Sequence, residues 1–129
     1  MKYLIAGGGT GGHVFPALAI ARRAKEQDAD SDVLFVGTRH GIEARVVEPA
    51  GFAIDYVEFS GFAGKSLWRK AQVVARLFSS TKEALAILNR YRPDVVIGVG
   101  GYASLPILVA AALKRVPVVL HEQNAWPGL

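Results

Sequence analysis

The sequence contains no cysteine, so disulfide scaffolds, thiolate zinc sites and cysteine nucleophiles are excluded. Long apolar runs are also absent, because the longest nearly apolar stretch, residues 105–113, falls far short of the roughly 20 residues that cross a membrane. Only 20% of the residues are charged and 51% are hydrophobic, a composition that argues against intrinsic disorder. We therefore expect the 129 residues to form one soluble, cytoplasmic domain with a buried core.

Positive charge is concentrated in one part of the chain. The net charge is +4, but residues 61–92 hold seven basic residues and one acid and so carry +6, which leaves −2 for the rest. A local excess of this kind indicates either an anionic partner or a solvated helix face, and both interpretations are open at this point.

Short β-rich runs alternate with longer helical stretches along the chain. This alternation, with continuously apolar strands, predicts an α/β fold with a doubly wound parallel sheet of the Rossmann type. The predicted strands are 2–6, 33–37, 54–59, 95–99 and 116–121, and the predicted helices are 15–27, 41–50, 66–91 and 104–114. Pro16 is typical of a first helical turn, and Ser80 followed by Glu83 resembles a capping box, which predicts two helices within 66–91.

Ligands of such sheets bind beyond the carboxyl ends of the strands. Glycine-rich and polar segments follow all five predicted strands at that edge. They are residues 7–13, 37–40, 60–65, 100–102 and 121–124. Because these loops would converge, we predict one binding crevice there.

The first of these loops has Gly7, Gly9 and Gly12 in the G-x-G-x-x-G pattern, between a strand and a helix. Glycines permit close backbone approach, and the helix start offers free N–H groups at a positive dipole end, so a diphosphate is a natural ligand. Dinucleotide binding competes, but it requires an acid at the end of the second strand, where Gly37 and Thr38 stand. A Walker loop is excluded because no Gly-Lys-Ser/Thr sequence follows.

Several side chains with useful chemistry lie at the same predicted edge. His13, at the start of the first helix, is a candidate general base for a sugar hydroxyl, with packing as the alternative role. Glu122 follows an apolar strand and would orient the base, bind substrate or act as the base itself. Tyr102 is suited to stack on a sugar or to hydrogen-bond it, and His121 and Asn124 are positioning groups.

Neither a metal nor a nucleic acid is a predicted ligand. Asp28-Ala29-Asp30 resembles a metal-binding D-x-D pair, but it lies at the opposite sheet edge, where a solvated turn is expected. The three histidines lack ligand spacing, and His40 is treated as a surface residue. The basic segment has no aromatic stacking pattern that would indicate nucleic-acid binding.

Five segments together resemble the amino-terminal domain of the MurG family. These bacterial enzymes add N-acetylglucosamine to undecaprenyl-diphospho-muramoyl-pentapeptide, converting lipid I to lipid II. The segments are GGTGGHVFP (8–16), Gly37-Thr38 with Glu43, PDVV (93–96), GGY (100–102) and HEQN (121–124), in the family's order. The resemblance implies half of a two-domain GT-B glycosyltransferase with inverting chemistry, no cofactor and no essential metal. It also implies a peripheral protein on the inner face of the cell membrane, with a part in peptidoglycan synthesis, cell shape and cell division.

The resemblance assigns roles to residues of the predicted crevice. The acceptor diphosphate would be cradled by residues 8–12 with Gly100 and Gly101. The donor, UDP-N-acetylglucosamine, would be bordered by Thr10, Gly11, Gly12 and Asn124. His13 would be the base that deprotonates the muramoyl C4 hydroxyl, while Glu122 and Tyr102 would help to hold the lipid I acceptor.

The resemblance also gives the basic segment a use. Helical projection of residues 67–78 shows one apolar stripe, which we assign to the core: Leu67, Ala71, Val74 and Phe78. The residues predicted to face an anionic membrane surface are Lys65, Trp68, Arg69, Lys70, Val73 and Leu77. Apolar residues among cations, with an amphipathic Trp, are typical of a helix that lies on anionic lipid.

The family has a second domain of similar size that binds most of the nucleotide sugar. We therefore expect residues 1–129 to be an incomplete acceptor-binding domain whose donor-binding partner acts in cis or in trans, with an exposed sheet edge and no transferase activity alone. The alternatives are the acceptor half of a split enzyme, a non-catalytic lipid-diphosphate binding module and a nucleotide-binding oxidoreductase.

Overall fold

The computed structural model describes residues 1–59 and 67–122. Within this part of the chain, five strands form one parallel sheet in the order β3-β2-β1-β4-β5. They are β1 (Lys2–Gly7), β2 (Asp32–Gly37), β3 (Ala53–Tyr56), β4 (Val95–Gly100) and β5 (Val118–Leu120). The predicted Rossmann-like parallel sheet is confirmed.

Within residues 1–59 and 67–122, four helices cover both faces of the sheet. They are α1 (Gly11–Gln27), α2 (Glu43–Val46), α3 (Leu67–Tyr91) and α4 (Ser104–Leu113). One core cluster joins the sheet to α1 and α2, and the other joins it to α3 and α4. The central strand β1 contributes Ile5 to the first cluster and Leu4 to the second, so its successive side chains are buried on opposite faces.

α1 begins four residues before its predicted start, so Gly11 and Gly12 already belong to the helix, and His13 lies in its first turn, at the helix start where it was predicted. Pro16 consequently falls in the second turn, and its placement in the first turn was wrong. At this position the proline nitrogen has no hydrogen to donate to the carbonyl of Gly12, so the helix lacks one internal bond. α2 is also shorter than the predicted 41–50, since turns follow it.

α3 is one continuous helix, so the prediction of a break at Ser80 is wrong. The Ser80 hydroxyl does not cap a helix but donates to the Glu58 carbonyl at 2.5 Å. Glu83 accepts a hydrogen bond from the Glu58 backbone N–H at 3.0 Å. The two side chains that resemble a capping box therefore fasten the chain after β3 to the middle of α3.

The assignment of the apolar stripe in the first half of α3 is also wrong. Leu67, Val74 and Phe78 are 83%, 54% and 70% exposed, whereas Val73 and Leu77 are half-buried. In one unbroken helix the buried stripe of the second half continues backwards at helical spacing through Ile87, Ala84, Ser80, Leu77 and Val73. Treating the segment as two helices lost this phase.

The far strand of the sheet is largely uncovered. β5 is an edge strand, and all three of its residues are exposed, as expected for this edge. No helix within the described ranges combines the length and apolar character that crossing a bilayer requires.

Tyr91 packs at the amino-terminal edge of the sheet, opposite to the predicted crevice. Its hydroxyl donates to the Tyr3 carbonyl at 3.2 Å, and the Lys2 ammonium lies 5.1 Å from its ring centroid. Burial raises the pKa of the Tyr91 phenol well above its usual value, and the negative charges of Asp32 and Asp94 raise it further.

Candidate functional site

The glycine loops that follow β1 and β4 pack directly against each other. The Gly8 backbone N–H donates to the Gly100 carbonyl at 3.2 Å. A Cβ atom on Gly101 would lie only 2.2 Å from the Gly8 carbonyl oxygen, so no side chain fits between the loops. Gly8, Gly100 and Gly101 also have φ values of +142°, +103° and +87°, which disfavour other residues. The neighbouring positions of β1 and β4 in the sheet thus bring the two loops together.

A buried carboxylate lies under the first loop. Glu43, the first residue of α2, is 1% exposed. Its Oε2 accepts a hydrogen bond from the Gly9 N–H at 2.8 Å, and its Oε1 accepts bonds from the Thr38 N–H at 2.8 Å and the Thr38 hydroxyl at 3.3 Å. One side chain therefore joins the loop after β1 to the loop after β2.

His13 lies in the first turn of α1, against the loop after β4. Its Nδ1 is 3.0 Å from the Thr10 hydroxyl, which holds the ring from one side. A Cβ on Gly100 would lie 2.7 Å from the His13 Cδ2 and 2.9 Å from Nε2, so the ring packs on the glycine backbone. Nε2 is thereby placed where the two glycine loops meet.

The beginning of α1 provides unused backbone donors. The Thr10 carbonyl accepts bonds from His13 and Val14, but the N–H groups of Gly11 and Gly12 find no acceptor among the described residues. Free amides at the positive end of a helix dipole form a binding site for an anionic group. Because Gly8 and Gly9 use their amides within the protein, the donors available to a ligand begin after Gly9.

The remaining predicted site residues lie at the same edge of the sheet or outside the described ranges. Tyr102 is 63% exposed and lies two residues before the start of α4. Glu122 is exposed, and continuation of the β4–β5 register places its backbone level with Gly100. His121 donates its backbone N–H to the Gly98 carbonyl, while its buried Nδ1 has no partner among the described residues. Asn124 lies outside the described residues.

Comparison with known protein families shows which family the chain belongs to. The model of the glycosyltransferase family 28 N-terminal domain matches residues 3–129. The chain belongs to this family. The predicted family resemblance is confirmed, and the resemblance includes the glycosyltransferase class of the homologues.

Curated relatives of the chain are longer proteins. The family 28 domain is 55% identical over 129 residues to the UDP-N-acetylglucosamine–N-acetylmuramyl-(pentapeptide) pyrophosphoryl-undecaprenol N-acetylglucosamine transferase of Syntrophotalea carbinolica, covering 100% of this chain and 36% of that protein. It is 50% identical over the same length to the protein of that name from Pelobacter propionicus, with 100% of this chain and 34% of that protein covered. The chain spans about a third of the length of the curated relatives it matches.

Solved structures agree with this family. The crystal structure of Acinetobacter baumannii MurG is similar with a TM-score of 0.84 and 34% identity, covering 99% of this chain and 37% of that one. The spinosyn rhamnosyltransferase SpnG has a TM-score of 0.70 at 20% identity, with 98% and 36% covered, and shows a shared fold alone.

The family 28 domain exposes an apolar and basic surface along the first half of α3. Trp68 is 73% exposed, and Arg69 and Lys70 beside it are exposed as well. The stripe of Leu67, Val74 and Phe78 adds to this surface, while Val73 and Leu77 face partly inward. Lys65, the remaining predicted membrane-facing residue, lies outside the described residues.

A cavity of about 380 Å³ opens between the β2–α2 loop, the chain after β3 and α3. Its lining includes Thr38, Arg39, His40, Glu58, Arg76 and Ser79. The Arg39 guanidinium carbon lies 4.9 Å from the centroid of the Tyr56 ring, and Arg39 Nη1 lies 4.0 Å from Glu58 Oε1. His40 is exposed, as predicted, but it borders this cavity rather than an open surface.

Glu43 is the residue of this site that sequence reasoning missed. It belongs to a segment that resembles the MurG family, but it lay within the predicted helix 41–50 and no role was predicted for it. The sequence signal that could have indicated Glu43 is the set of glycines that leave room for its side chain, namely Gly8, Gly37 and Gly41. The sequence alone did not show that three separated glycines surround one carboxylate.

Proposed function

We propose that this chain is the acceptor-binding domain of an inverting glycosyltransferase of peptidoglycan synthesis. The enzyme transfers N-acetylglucosamine from UDP-N-acetylglucosamine to the muramoyl C4 hydroxyl of lipid I, giving lipid II. The observation that supports this most strongly is the 55% identity, across the whole chain, to a relative named as an N-acetylglucosamine transferase for UDP-N-acetylglucosamine and N-acetylmuramyl-(pentapeptide) pyrophosphoryl-undecaprenol. In this proposal residues 1–129 bind the acceptor, and a donor-binding domain acts with them in cis or in trans.

The acceptor diphosphate binds at the start of α1. The free amides of Gly11 and Gly12 support this placement, since they point to an anion at a helix amino terminus. Gly100 and Gly101 close the other side, where their lack of side chains lets the diphosphate approach the backbone. Thr10 and Asn124, with Gly11 and Gly12, border the nucleotide sugar.

His13 is the proposed general base, a role that requires one specific tautomer of its ring. For Nε2 to accept a proton, Nδ1 must carry the ring hydrogen and donate it to the Thr10 hydroxyl oxygen 3.0 Å away. Nε2 then takes the proton of the C4 hydroxyl as O4 forms a bond to C1 of the donor sugar. The bond from C1 to the diphosphate oxygen breaks, UDP leaves with the electron pair, and the configuration at C1 inverts.

Glu122 and Tyr102 hold the acceptor sugar beside this base. Their support is their position after β5 and β4 at the ligand edge, together with their exposure to solvent. A carboxylate accepts hydrogen bonds from sugar hydroxyls, whereas a phenol both donates and accepts them, and the phenol ring can also stack on the sugar.

The first half of α3 docks the enzyme on the cytoplasmic face of the membrane, where a lipid-linked acceptor is found. Exposed Trp68 and Phe78 would enter the headgroup region, and Lys70 would contact anionic lipid. In vesicle co-sedimentation, Lys70→Glu should weaken binding to anionic vesicles more than tenfold, because each basic residue contributes about 1 kcal/mol and the change reverses a charge. Lys25→Glu on α1 is the matched control, and binding that is insensitive to anionic lipid content contradicts the docking proposal.

The transferase proposal is tested in the protein that combines these residues with the donor-binding domain. Formation of lipid II from radiolabelled UDP-N-acetylglucosamine and lipid I is the measurement. His13→Ala should lower turnover about 10²- to 10⁴-fold if His13 is the base. His40→Ala, which removes an exposed histidine, is the control. Lipid I binding without transfer in the wild type would instead favour a binding module, and activity only after addition of a separate donor chain would favour a split enzyme.

A further inference from the structure

Glu43 is a buried charged residue whose partners are all uncharged. Burial of a carboxylate is costly unless hydrogen bonds replace its water. Within the described residues no Lys, Arg or His forms an ion pair with it, and its partners are the Gly9 and Thr38 amides and the Thr38 hydroxyl. These groups belong to two different loops at the ligand edge of the sheet.

Three glycines leave the space that the Glu43 side chain occupies. A Cβ would lie 2.3 Å from its Cδ if placed on Gly8, 2.4 Å from its Cγ on Gly37, and 2.0 Å from its Oε2 on Gly41. Gly8 and Gly41 come from the loops after β1 and β2, and Gly37 is the last residue of β2. These loops are therefore shaped around the carboxylate, and not only around a ligand.

We infer that Glu43 is a positioning residue of the diphosphate site. It fixes the Gly9 peptide against Thr38 and so determines where the chain enters α1, whose first amides remain for the ligand. This inference rests on the proposed function, because it assumes that the loop binds the acceptor diphosphate. It makes a distinctive prediction, since Glu43 has the same sign of charge as the ligand. A mere neighbouring charge would weaken binding, whereas an anchor strengthens it.

Amide hydrogen exchange tests the anchor without a ligand. In the ¹⁵N-labelled 129-residue chain, the Gly9 amide should be protected although Gly9 itself is exposed. In Glu43→Gln a single carbonyl oxygen replaces two carboxylate oxygens. We expect this oxygen to accept from Thr38, which supplies two donors. The NH₂ group of the glutamine then faces the Gly9 N–H, which loses its acceptor. Exchange at Gly9 should then become roughly 10- to 100-fold faster, with a smaller change at Thr38.

Titration with inorganic pyrophosphate tests the consequence for the site. Glu43→Gln should bind pyrophosphate roughly 10- to 100-fold more weakly than the wild type. Glu48→Gln removes the same charge from an exposed position five residues later and should change neither measurement. Glu43→Asp keeps the charge but is too short to reach both loops, so it should not restore affinity. It also serves as the test if Glu43→Gln does not fold.

The outcomes separate this inference from the proposed function. Unprotected Gly9 in the wild type, or unchanged Gly9 exchange in a folded Glu43 variant, overturns the anchor. Faster exchange with equal or tighter pyrophosphate binding shows that Glu43 acts only as a charge, and this overturns the positioning role alone. A wild type that binds no pyrophosphate refutes the diphosphate site of the proposed function, and the positioning role fails with it even where Gly9 is protected.

Discussion

Replacement of Gly101 by alanine measures how tightly the two glycine loops pack. Gly101 has a φ of +87°, and an added Cβ would lie 2.2 Å from the Gly8 carbonyl oxygen. Gly51 has a similar φ of +94°, but no heavy atom lies within 4 Å of its added Cβ. Both alanines are forced into the same left-handed region and restrict the unfolded chain equally, so these effects cancel when the two variants are compared.

The expected difference in stability between the two variants comes from steric overlap of the added Cβ alone. Left-handed backbone strain should cost about 1–2 kcal/mol in each variant. In Gly101→Ala the Cβ must also move about 0.8 Å away from the Gly8 oxygen to reach the 3.0 Å limit of real contacts. That oxygen belongs to a loop fixed through the Gly8–Gly100 bond, so the overlap should cost about 1–3 kcal/mol more.

Urea unfolding followed by circular dichroism provides the measurement. Gly101→Ala should have a free energy of unfolding about 1–3 kcal/mol below that of Gly51→Ala, with the same denaturant dependence. In thermal unfolding this corresponds to a further decrease of about 3–15 °C for a chain of this size. Equal stability of the two variants would show that the loops separate easily, and would refute the close packing on which the site depends.

The remaining predictions concern the rest of the fold. Because the pKa of Tyr91 is raised in the folded state, its contribution to stability is present below about pH 10 and is lost as the pH rises further. Urea unfolding between pH 9 and 11 should therefore show a steeper loss of stability in the wild type than in Tyr91→Phe, and equal slopes would contradict this. Ser80→Ala leaves the Glu58 carbonyl without its buried donor and should lower the free energy of unfolding by about 1–2 kcal/mol. Ser79→Ala, at the adjacent exposed position, should change it by less than about 0.5 kcal/mol, and similar losses in both would exclude the tether.

Prediction from the sequence succeeded where the order of elements fixes position. Apolar strands that alternate with helices form parallel sheets, and parallel strands end at one edge. This predicted that Gly8, His13 and Gly101 lie at one edge of the sheet, and in the structure Gly101 packs on Gly8 while the His13 ring packs on the neighbouring Gly100.

Prediction failed where a local pattern had more than one use. Ser80 and Glu83 have the spacing of a capping box, but their side chains bond the Glu58 backbone from the middle of a continuous helix. The false break then shifted the phase of the helix, so Phe78 was assigned to the core although it is 70% exposed. Spacing along a helix does not reveal which distant backbone group a side chain will reach.

The sequence by itself determined the parallel sheet and the edge at which its ligand loops lie, because periodicity and chain order are local or sequential properties, and the family was indicated by the five segments that resemble it. Only the tertiary structure decided that Glu43 lies beneath the first glycine loop, 2.8 Å from the Gly9 and Thr38 amides. The physical reason is that a buried carboxylate is stabilised by donors from loops 34 and 5 residues away, and such donors become neighbours only when the strands pair.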